Sequence, residues 1–173
     1  MTKKKSAYDY AEAKKHWEVC EKENPSEEDC IAAVSYNPFI LGRLDPKYQT
    51  EKICVAAVRD CGFALKYVAQ QTETICIYAV KDYHEALALV KDQTYEICFN
   101  SIIYHPLSLK YVKNQTPELC IYAIRRDPDA IKYVNIPYTF DMVRTAFKKK
   151  PSTIWFVIVK MIKNNRFSKR KNI

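Results

Sequence analysis

A pattern of apolar and polar positions recurs four times in the middle of this chain. Each copy opens with Gln-Thr, has a glutamate within the next two residues and then an apolar residue followed by cysteine, and closes on a hydrophobic pair or triplet ending in valine. The copies are Gln49–Val68, Gln71–Val90, Gln93–Val112 and Gln115–Val134. Their starts are evenly spaced, and a fixed period of this length is typical of repeat proteins.

The first half of each copy has helical spacing. Ile53, Cys54, Ala57 and Val58 form one contiguous stripe when successive residues are placed as in an α-helix, which predicts an amphipathic helix of about ten residues. A hydroxyl side chain precedes every such helix and is predicted to cap its free N–H groups, and acidic residues follow in the first turn, where the helix dipole favours them. The predicted caps are Ser26, Thr50, Thr72, Thr94, Thr116 and Thr139.

The second half of each copy starts at a turn. Eight residues beyond the cysteine position stand four prolines and one glycine among six residues, which predicts that the first helix ends there. These six residues are Pro38, Gly62, His84, Pro106, Pro128 and Pro151. A second, shorter apolar segment follows, such as Leu65, Tyr67 and Val68. Its length predicts a helix of about two turns, in part 3₁₀.

Looser copies flank these four, at Ser26–Leu44 and Thr139–Val157. The predicted fold is therefore an all-α solenoid of about six two-helix repeats, each of about 22 to 24 residues. An N-terminal capping helix from Ser6 is predicted within residues 1–25, the repeat array covers residues 26–162 with an extended C-terminal helix, and residues 163–173 form a basic, disordered tail. Two glycines in 173 residues leave little material for β-hairpins.

The cysteines suggest a structural role first. Five of the seven recur once per repeat, and the chain has no CxxC pair. The five are Cys30, Cys54, Cys76, Cys98 and Cys120. In this position a cysteine is predicted to be a small buried hydrophobic residue, and the alternative is a stacked thiol ladder with a metal or redox role. An odd number of thiols fits a reducing compartment.

Targeting signals are not evident. The N-terminus passes from lysines into a polar segment without an apolar core, so no signal peptide is predicted. The most apolar run, Ile154–Ile162, is under half a membrane span. We expect a soluble, intracellular protein that does not enter membranes.

The segment QTxEIC…AV…ALxYV resembles the short helical repeats of proteins from mimivirus-like giant viruses, a family of unknown function. The resemblance covers about residues 26 to 160 and is strongest in Gln-Thr-x-Glu-Ile-Cys. It departs in the first unit, at Ser26 and Asp29, and in the last, where Val143 replaces the cysteine. The resemblance implies an α-helical array in a viral setting, in the host cytoplasm or a viral factory or associated with the virion, without catalytic residues.

The sequence offers little enzyme chemistry. His16, His84 and His105 share no repeat position, and no glycine-rich phosphate loop or metalloprotease motif is present. The acidic residues cluster at helix starts, where capping and the helix dipole account for them. We therefore predict no catalytic residue, no cofactor and no metal site.

Charge distinguishes the C-terminal end of the chain. From Val143 onward the chain has ten of its 28 basic residues and none of its 20 acidic residues, so acids slightly outnumber bases before that point. A cationic end attracts phosphate backbones or acidic protein surfaces. The alternative is a solvated tail that maintains solubility.

A column of basic residues is predicted five residues beyond the cysteine position. Arg59, Lys81, Arg125 and Lys148 would align if the repeats stack, with aromatic neighbours such as Tyr78 and Tyr122. Such a stripe could bind single-stranded nucleic acid through charge and stacking. The alternative is that cations stand there because of the helix dipole.

These observations favour a non-enzymatic scaffold that binds a protein partner. The second hypothesis is a nucleic-acid-binding protein that uses its basic C-terminal end, with Arg125, Arg126 and Lys148–Lys150 as contacts. The residues predicted to bind the partner are Arg59, Tyr78, Lys81, Tyr122, Arg125, Arg126, Arg144, Lys148, Lys149 and Lys150.

Overall fold

The computed structural model describes residues 15, 16 and 18–160, and this part of the chain contains helices and turns but no β-strand. The all-helical class predicted from the periodicity is confirmed there. The predicted capping helix from Ser6 lies largely outside the described residues, and the predicted tail of residues 163–173 lies entirely outside them.

Six α-helices of ten residues each follow one another within residues 18–160. They are α1 (Glu27–Tyr36), α2 (Glu51–Asp60), α3 (Glu73–Asp82), α4 (Tyr95–Tyr104), α5 (Pro117–Arg126) and α6 (Phe140–Lys149). Each begins at its predicted cap, whose hydroxyl oxygen accepts the backbone N–H three residues further on, at 3.1 Å for Ser26 and 3.5 Å for Thr50. A cap of this kind contributes about 1 kcal/mol to helix stability.

The second segment of the first five repeats is a 3₁₀ helix. It starts at the predicted turn residue in five repeats: Pro38–Gly42, Gly62–Tyr67, His84–Leu89, Pro106–Tyr111 and Pro128–Tyr133. Short 3₁₀ helices also occur at Val19–Glu21 and at Pro46–Tyr48, and the second of these fills the longer connection between Cys30 and Cys54. The sixth repeat differs, because a turn at residues 151–152 leads into a helix that covers residues 153–160.

The chain divides into two compact units, with unit 1 ending at Lys91 and unit 2 beginning at Asp92. In unit 1, α1 packs on α2 and α2 on α3, and the 3₁₀ helices of these repeats pack on one another. In unit 2, α4 packs on α5 and α5 on α6, while Pro106–Tyr111 packs on Pro128–Tyr133.

The core of each unit consists of the predicted apolar stripe. In α2 the buried residues are Ile53, Cys54, Ala57 and Val58, and the 3₁₀ helix that follows adds Ala64 and Leu65. The same positions are buried in α5 and its 3₁₀ helix, where they are Leu119, Cys120, Ala123, Ile124, Ala130 and Ile131. The cysteines at this position are therefore buried core residues, as the sequence predicted.

A glutamine precedes four of the six caps and joins the two ends of its own repeat. The side-chain oxygen of Gln71, Gln93 and Gln115 accepts the backbone N–H of the residue 20 positions later, at 3.0, 2.9 and 2.8 Å. Their side-chain amide groups donate to the backbone carbonyl 18 positions later, at 3.1, 3.0 and 2.9 Å. Gln49 accepts in the same way from Ala69. Each glutamine thus joins the start of an α-helix to the end of the following 3₁₀ helix.

Gly62 is required by a close approach between two repeats. A Cβ atom at this position would lie too close to the carbonyl oxygen of Ala79 and 2.9 Å from Cβ of Tyr83. We expect Gly62→Ala to lower the free energy of unfolding by about 2 kcal/mol, because the clash involves backbone atoms. Urea denaturation measures this loss. His84→Ala, at the same repeat position, is the control, and equal stability of the two variants would contradict the explanation.

Candidate partner-binding surface

The α-helices of unit 2 present one continuous set of outward-facing positions. The first, fifth and ninth residues of a helix lie on one face, since four residues correspond to a little more than one turn. We call these nine residues the exposed helix face of unit 2, because all are exposed or half-buried: Tyr95, Phe99, Ile103, Pro117, Ile121, Arg125, Phe140, Arg144 and Lys148.

Aromatic residues cover the first part of this face. Tyr95 is 56% exposed and its ring stacks on Phe99 at a centroid distance of 5.9 Å. Phe99 also contacts Tyr122 in the next repeat, at 4.9 Å. Phe140 occupies in α6 the position that Tyr95 has in α4 and is 78% exposed. Large apolar side chains with this exposure are typical of interaction surfaces when they occur together.

Basic residues occupy the other corner of the face. Arg125, Arg144 and Lys148 are exposed, and within the described residues their side chains form no hydrogen bond or ion pair. No acidic side chain is present among the nine residues of the face. The corner therefore has three positive charges that form no ion pair within the described residues, and the acid of α6, Asp141, stands three residues before Arg144.

Neighbouring basic residues have structural partners. The Arg126 guanidinium donates to the backbone carbonyl of Ile103 at 3.0 Å, and the Lys149 ammonium donates to the carbonyl of Arg125. Both carbonyls lie near the C-terminus of the preceding helix, where a cation is stabilised by the helix dipole. The helix dipole thus accounts for Arg126 and Lys149, each of which is next in sequence to a member of the predicted basic column.

Lys150 is part of an ion-pair cluster. Its ammonium group lies 2.6 Å from one carboxylate oxygen of Asp129, and Lys132 lies 2.8 Å from the other. Hydrogen bonds from Lys132 and then Lys150 lower the pKa of Asp129, since both favour the ionised carboxylate. The charge of Lys150 is therefore already paired, unlike the charges of Arg125, Arg144 and Lys148.

Three of the predicted partner-binding residues lie in unit 1. The Lys81 ammonium is 5.5 Å from the ring centre of Tyr78. This separation is typical of a cation–π contact. Arg59 is exposed. Like Arg125 and Lys148 of unit 2, Arg59 and Lys81 are the ninth residues of their helices, α2 and α3. The structure thus brings the remaining predicted residues together on the packed helices of unit 2, except for Lys150: Tyr122, Arg125, Arg126, Arg144, Lys148 and Lys149.

The two units differ at the first position of their helices. Unit 1 has glutamate there, and the Thr50 and Thr72 hydroxyl groups donate to Glu27 and Glu51 at 2.8 and 2.7 Å. The bond from Thr50 lowers the pKa of Glu27. Unit 2 has aromatic residues or proline instead. The sequence prediction missed Tyr95, Phe99 and Phe140, although alignment of the repeats shows that these helices lack the glutamate.

The described residues contain neither a candidate metal site nor a candidate membrane-spanning helix. Among them, no group of three or more histidine, cysteine or acidic side chains is placed to hold a metal ion. The described part of the chain also lacks a helix with both the length and the apolar character that a bilayer span requires.

The buried cysteines should be poorly reactive. Burial, with a smaller effect of Glu51 or Glu118, raises the pKa of Cys54 and of Cys120 to about 11, and burial also raises the pKa of Cys98. The reactive thiolate is therefore scarce at pH 8. We expect Cys54, Cys98 and Cys120 to react on the order of a hundredfold more slowly with iodoacetamide in the native protein than in denaturant.

Peptide mass mapping measures this reaction site by site. Half-buried Cys61 is the internal reference and should be modified before the buried cysteines, which also include Cys76. Rapid modification of Cys54, Cys76, Cys98 and Cys120 in the native protein would show that the core assignment is wrong.

No protein family, curated protein or solved structure matches this chain.

Proposed function

We propose that this protein is a non-enzymatic α-solenoid of six two-helix repeats that holds a protein partner on the exposed helix face of unit 2. The proposal rests on the exposure of Tyr95 and Phe140, which share one repeat position in α4 and α6. At this position unit 1 has glutamates, two of which bond to threonine hydroxyl groups. Aromatic residues and arginine are enriched at protein interfaces, and both are present on this face.

The setting proposed for this scaffold is viral. Support comes from the resemblance of the Gln-Thr-x-Glu-Ile-Cys repeats to those of mimivirus-like giant viruses. The corresponding location is the host cytoplasm, the viral factory or the virion. In such a setting a repeat scaffold would collect one partner along its stacked helices without chemical change to that partner.

A peptide-display selection on the immobilised full chain tests the scaffold function. We expect enriched peptides to bind the unaltered protein at least about tenfold more tightly than a Tyr95→Ser/Phe140→Ser variant, since aromatic anchors supply much of the affinity of an interface. Tyr133→Ser is the control, because Tyr133 is an exposed tyrosine of unit 2 that lies in the 3₁₀ helix Pro128–Tyr133, outside the exposed helix face. Failure to enrich any peptide, or equal binding to the double variant, would contradict the proposal.

The second candidate function is nucleic-acid binding through the basic C-terminal end. The observation that favours it is the run of ten basic residues without an acid, of which Arg144 and Lys148 are unpaired within the described residues. Binding by charge neutralisation would weaken steeply with salt. Comparison of RNA and duplex DNA binding by the full chain and by a chain ending at Ile162, at low and physiological salt, tests this candidate.

A further inference from the structure

We propose that the partner segment held on the exposed helix face of unit 2 is an acidic amphipathic peptide. This inference rests on the proposed scaffold function and adds the chemistry of the partner. The peptide would place aromatic or branched aliphatic side chains against the apolar half of the face, at Tyr95 and Phe140. Its carboxylates would pair with Arg125, Arg144 and Lys148.

The apolar half of the face, Tyr95, Phe99 and Phe140, determines the length and the apolar side chains that the peptide needs. Tyr95 and Phe140 project from the first turns of α4 and α6, and Phe99 lies one turn further along α4. Because α4 packs on α5 and α5 on α6, the three helices form a surface about 20 Å wide at a typical spacing of about 8 to 10 Å. A helical peptide of about 14 residues is about 21 Å long and would span this width.

The basic half of the face determines the charge of the peptide. Arg125, Arg144 and Lys148 have exposed side chains without partners in the described part of the protein. In unit 1 the same helix face includes Glu27 and Glu51, which offset its basic residues. In unit 2 the acid of the first turn stands one position later, at Glu96, Glu118 and Asp141, and therefore outside this face. A partner that supplies carboxylates would balance the charge of the face itself. Charge complementarity of this kind selects partners and accelerates association.

The contacts of the aromatic rings favour a peptide over single-stranded nucleic acid. Base stacking requires an open ring face. The ring of Phe99 already has two ring neighbours, Tyr95 at an interplanar angle of 11° and Tyr122 at 56°, which compete with a base for its faces. Glu96, in the same turn as Tyr95, bonds to the Asn100 amide at 2.7 Å and would repel a phosphate backbone placed over these rings. An amphipathic peptide can instead place apolar side chains over the rings and keep its carboxylates at the basic corner.

Fluorescence anisotropy with the full chain tests the inference. The probes are three labelled helical peptides of about 14 residues. One has Leu and Trp on one face and Glu on the other, the second has Lys in place of Glu, and the third has Ser in place of Leu and Trp. A labelled oligouridylate is the nucleic-acid probe. We expect the Glu-Leu-Trp peptide to bind at least about tenfold more tightly than every other probe.

Charge-reversal variants locate the binding site. Arg125→Glu/Lys148→Glu should weaken binding of the Glu-Leu-Trp peptide by about tenfold or more, and the Lys peptide should then bind better than before. Lys66→Glu is the control, since Lys66 is an exposed basic residue of unit 1 outside the predicted binding residues, and it should change affinity by less than about twofold. Thermal melts of each variant verify that the fold is retained.

The other outcomes separate the two proposals. Equal or tighter binding of the Lys peptide would overturn the acidic partner and leave the scaffold function standing. Tighter binding of the oligouridylate would overturn both and favour the nucleic-acid function. If no peptide binds, or if Lys66→Glu has the same effect as the double reversal, the inference is wrong, and the display selection decides the scaffold function independently.

Discussion

Replacement of Ala123 with aspartate is expected to unfold the protein at room temperature or to leave it only marginally stable. Ala123 is fully buried in α5, in the same stripe as Leu119, Cys120 and Ile124. A carboxylate at this position would lose its hydration without gaining a partner, and an uncompensated buried charge costs about 3 to 5 kcal/mol. This loss is a large part of the total stability of a typical domain, which is about 5 to 15 kcal/mol.

Urea denaturation followed by circular dichroism measures the effect. Ala32→Asp is the matched control, because Ala32 is an exposed alanine within α1. The control should lose no more than about 0.7 kcal/mol, the difference in helix propensity between ordinary residues. If Ala123→Asp melts cooperatively close to the unaltered protein, the stripe of α5 is not the core.

The buried stripe that contains Ala123 is one of the features of the fold that follow from the sequence alone. The threonine caps and the four-residue stripe repeat with one period, and each depends on neighbours within one helical turn. Local geometry therefore determines them, and the six α-helices begin at the predicted residues. Prolines such as Pro106 and Pro128 likewise indicated where each second segment starts.

Features that depend on contacts between distant residues could not be predicted in this way. The role of the glutamine before the four threonine caps from Thr50 to Thr116 was not predicted, because its bonds reach backbone groups 18 and 20 residues away. The 3₁₀ form of the second segment was foreseen in part, since so short a segment is too small for a stable α-helix. Among the candidate surface residues, Arg126 and Lys149 proved to cap helix carbonyls, which their charge alone could not indicate.

Buried and outward-facing positions of the helices differ in how much they vary between repeats. The buried positions of the stripe differ little between units, as Ala79 and Ala123 illustrate. The first helix position changes from Glu51 in α2 to Tyr95 in α4, while two of the four buried positions change only from alanine to serine and from valine to isoleucine. Substitutions at outward positions therefore alter the surface while the stacking contacts are retained, which is the general advantage of a repeat architecture.

The glutamine bonds lead to the second large prediction, that Gln115→Glu destabilises the protein by about 2 to 4 kcal/mol at pH 7. The Gln115 amide donates to the carbonyls of Leu109 and Tyr133, both at 2.9 Å. A carboxylate of the same shape cannot donate, so the Tyr133 carbonyl loses its side-chain partner and the Leu109 carbonyl keeps only the Val112 N–H, at 3.2 Å. Both carbonyls then face a negative charge. Partly buried groups that lose hydrogen bonds cost about 1 to 3 kcal/mol each.

The pH dependence of this variant provides an independent check. The carbonyls should raise the folded-state pKa of the introduced carboxyl group above its unfolded value of about 4.3, because they disfavour the charged form. The loss in free energy of unfolding is then smallest below the unfolded-state pKa, where the protonated carboxyl group can donate one hydrogen bond. The loss grows as the pH rises through the folded-state pKa. Denaturation curves at pH 4 and pH 7 measure this difference.

Gln70→Glu is the control for Gln115→Glu, since Gln70 is exposed in the connection that precedes α3. It should change the unfolding free energy by less than about 0.5 kcal/mol at either pH. Equal effects of the two substitutions would mean that the glutamine bonds do not stabilise the repeat. A large, pH-dependent effect at Gln115 alone would establish that the Gln115 amide, as well as the apolar stripe, stabilises its repeat.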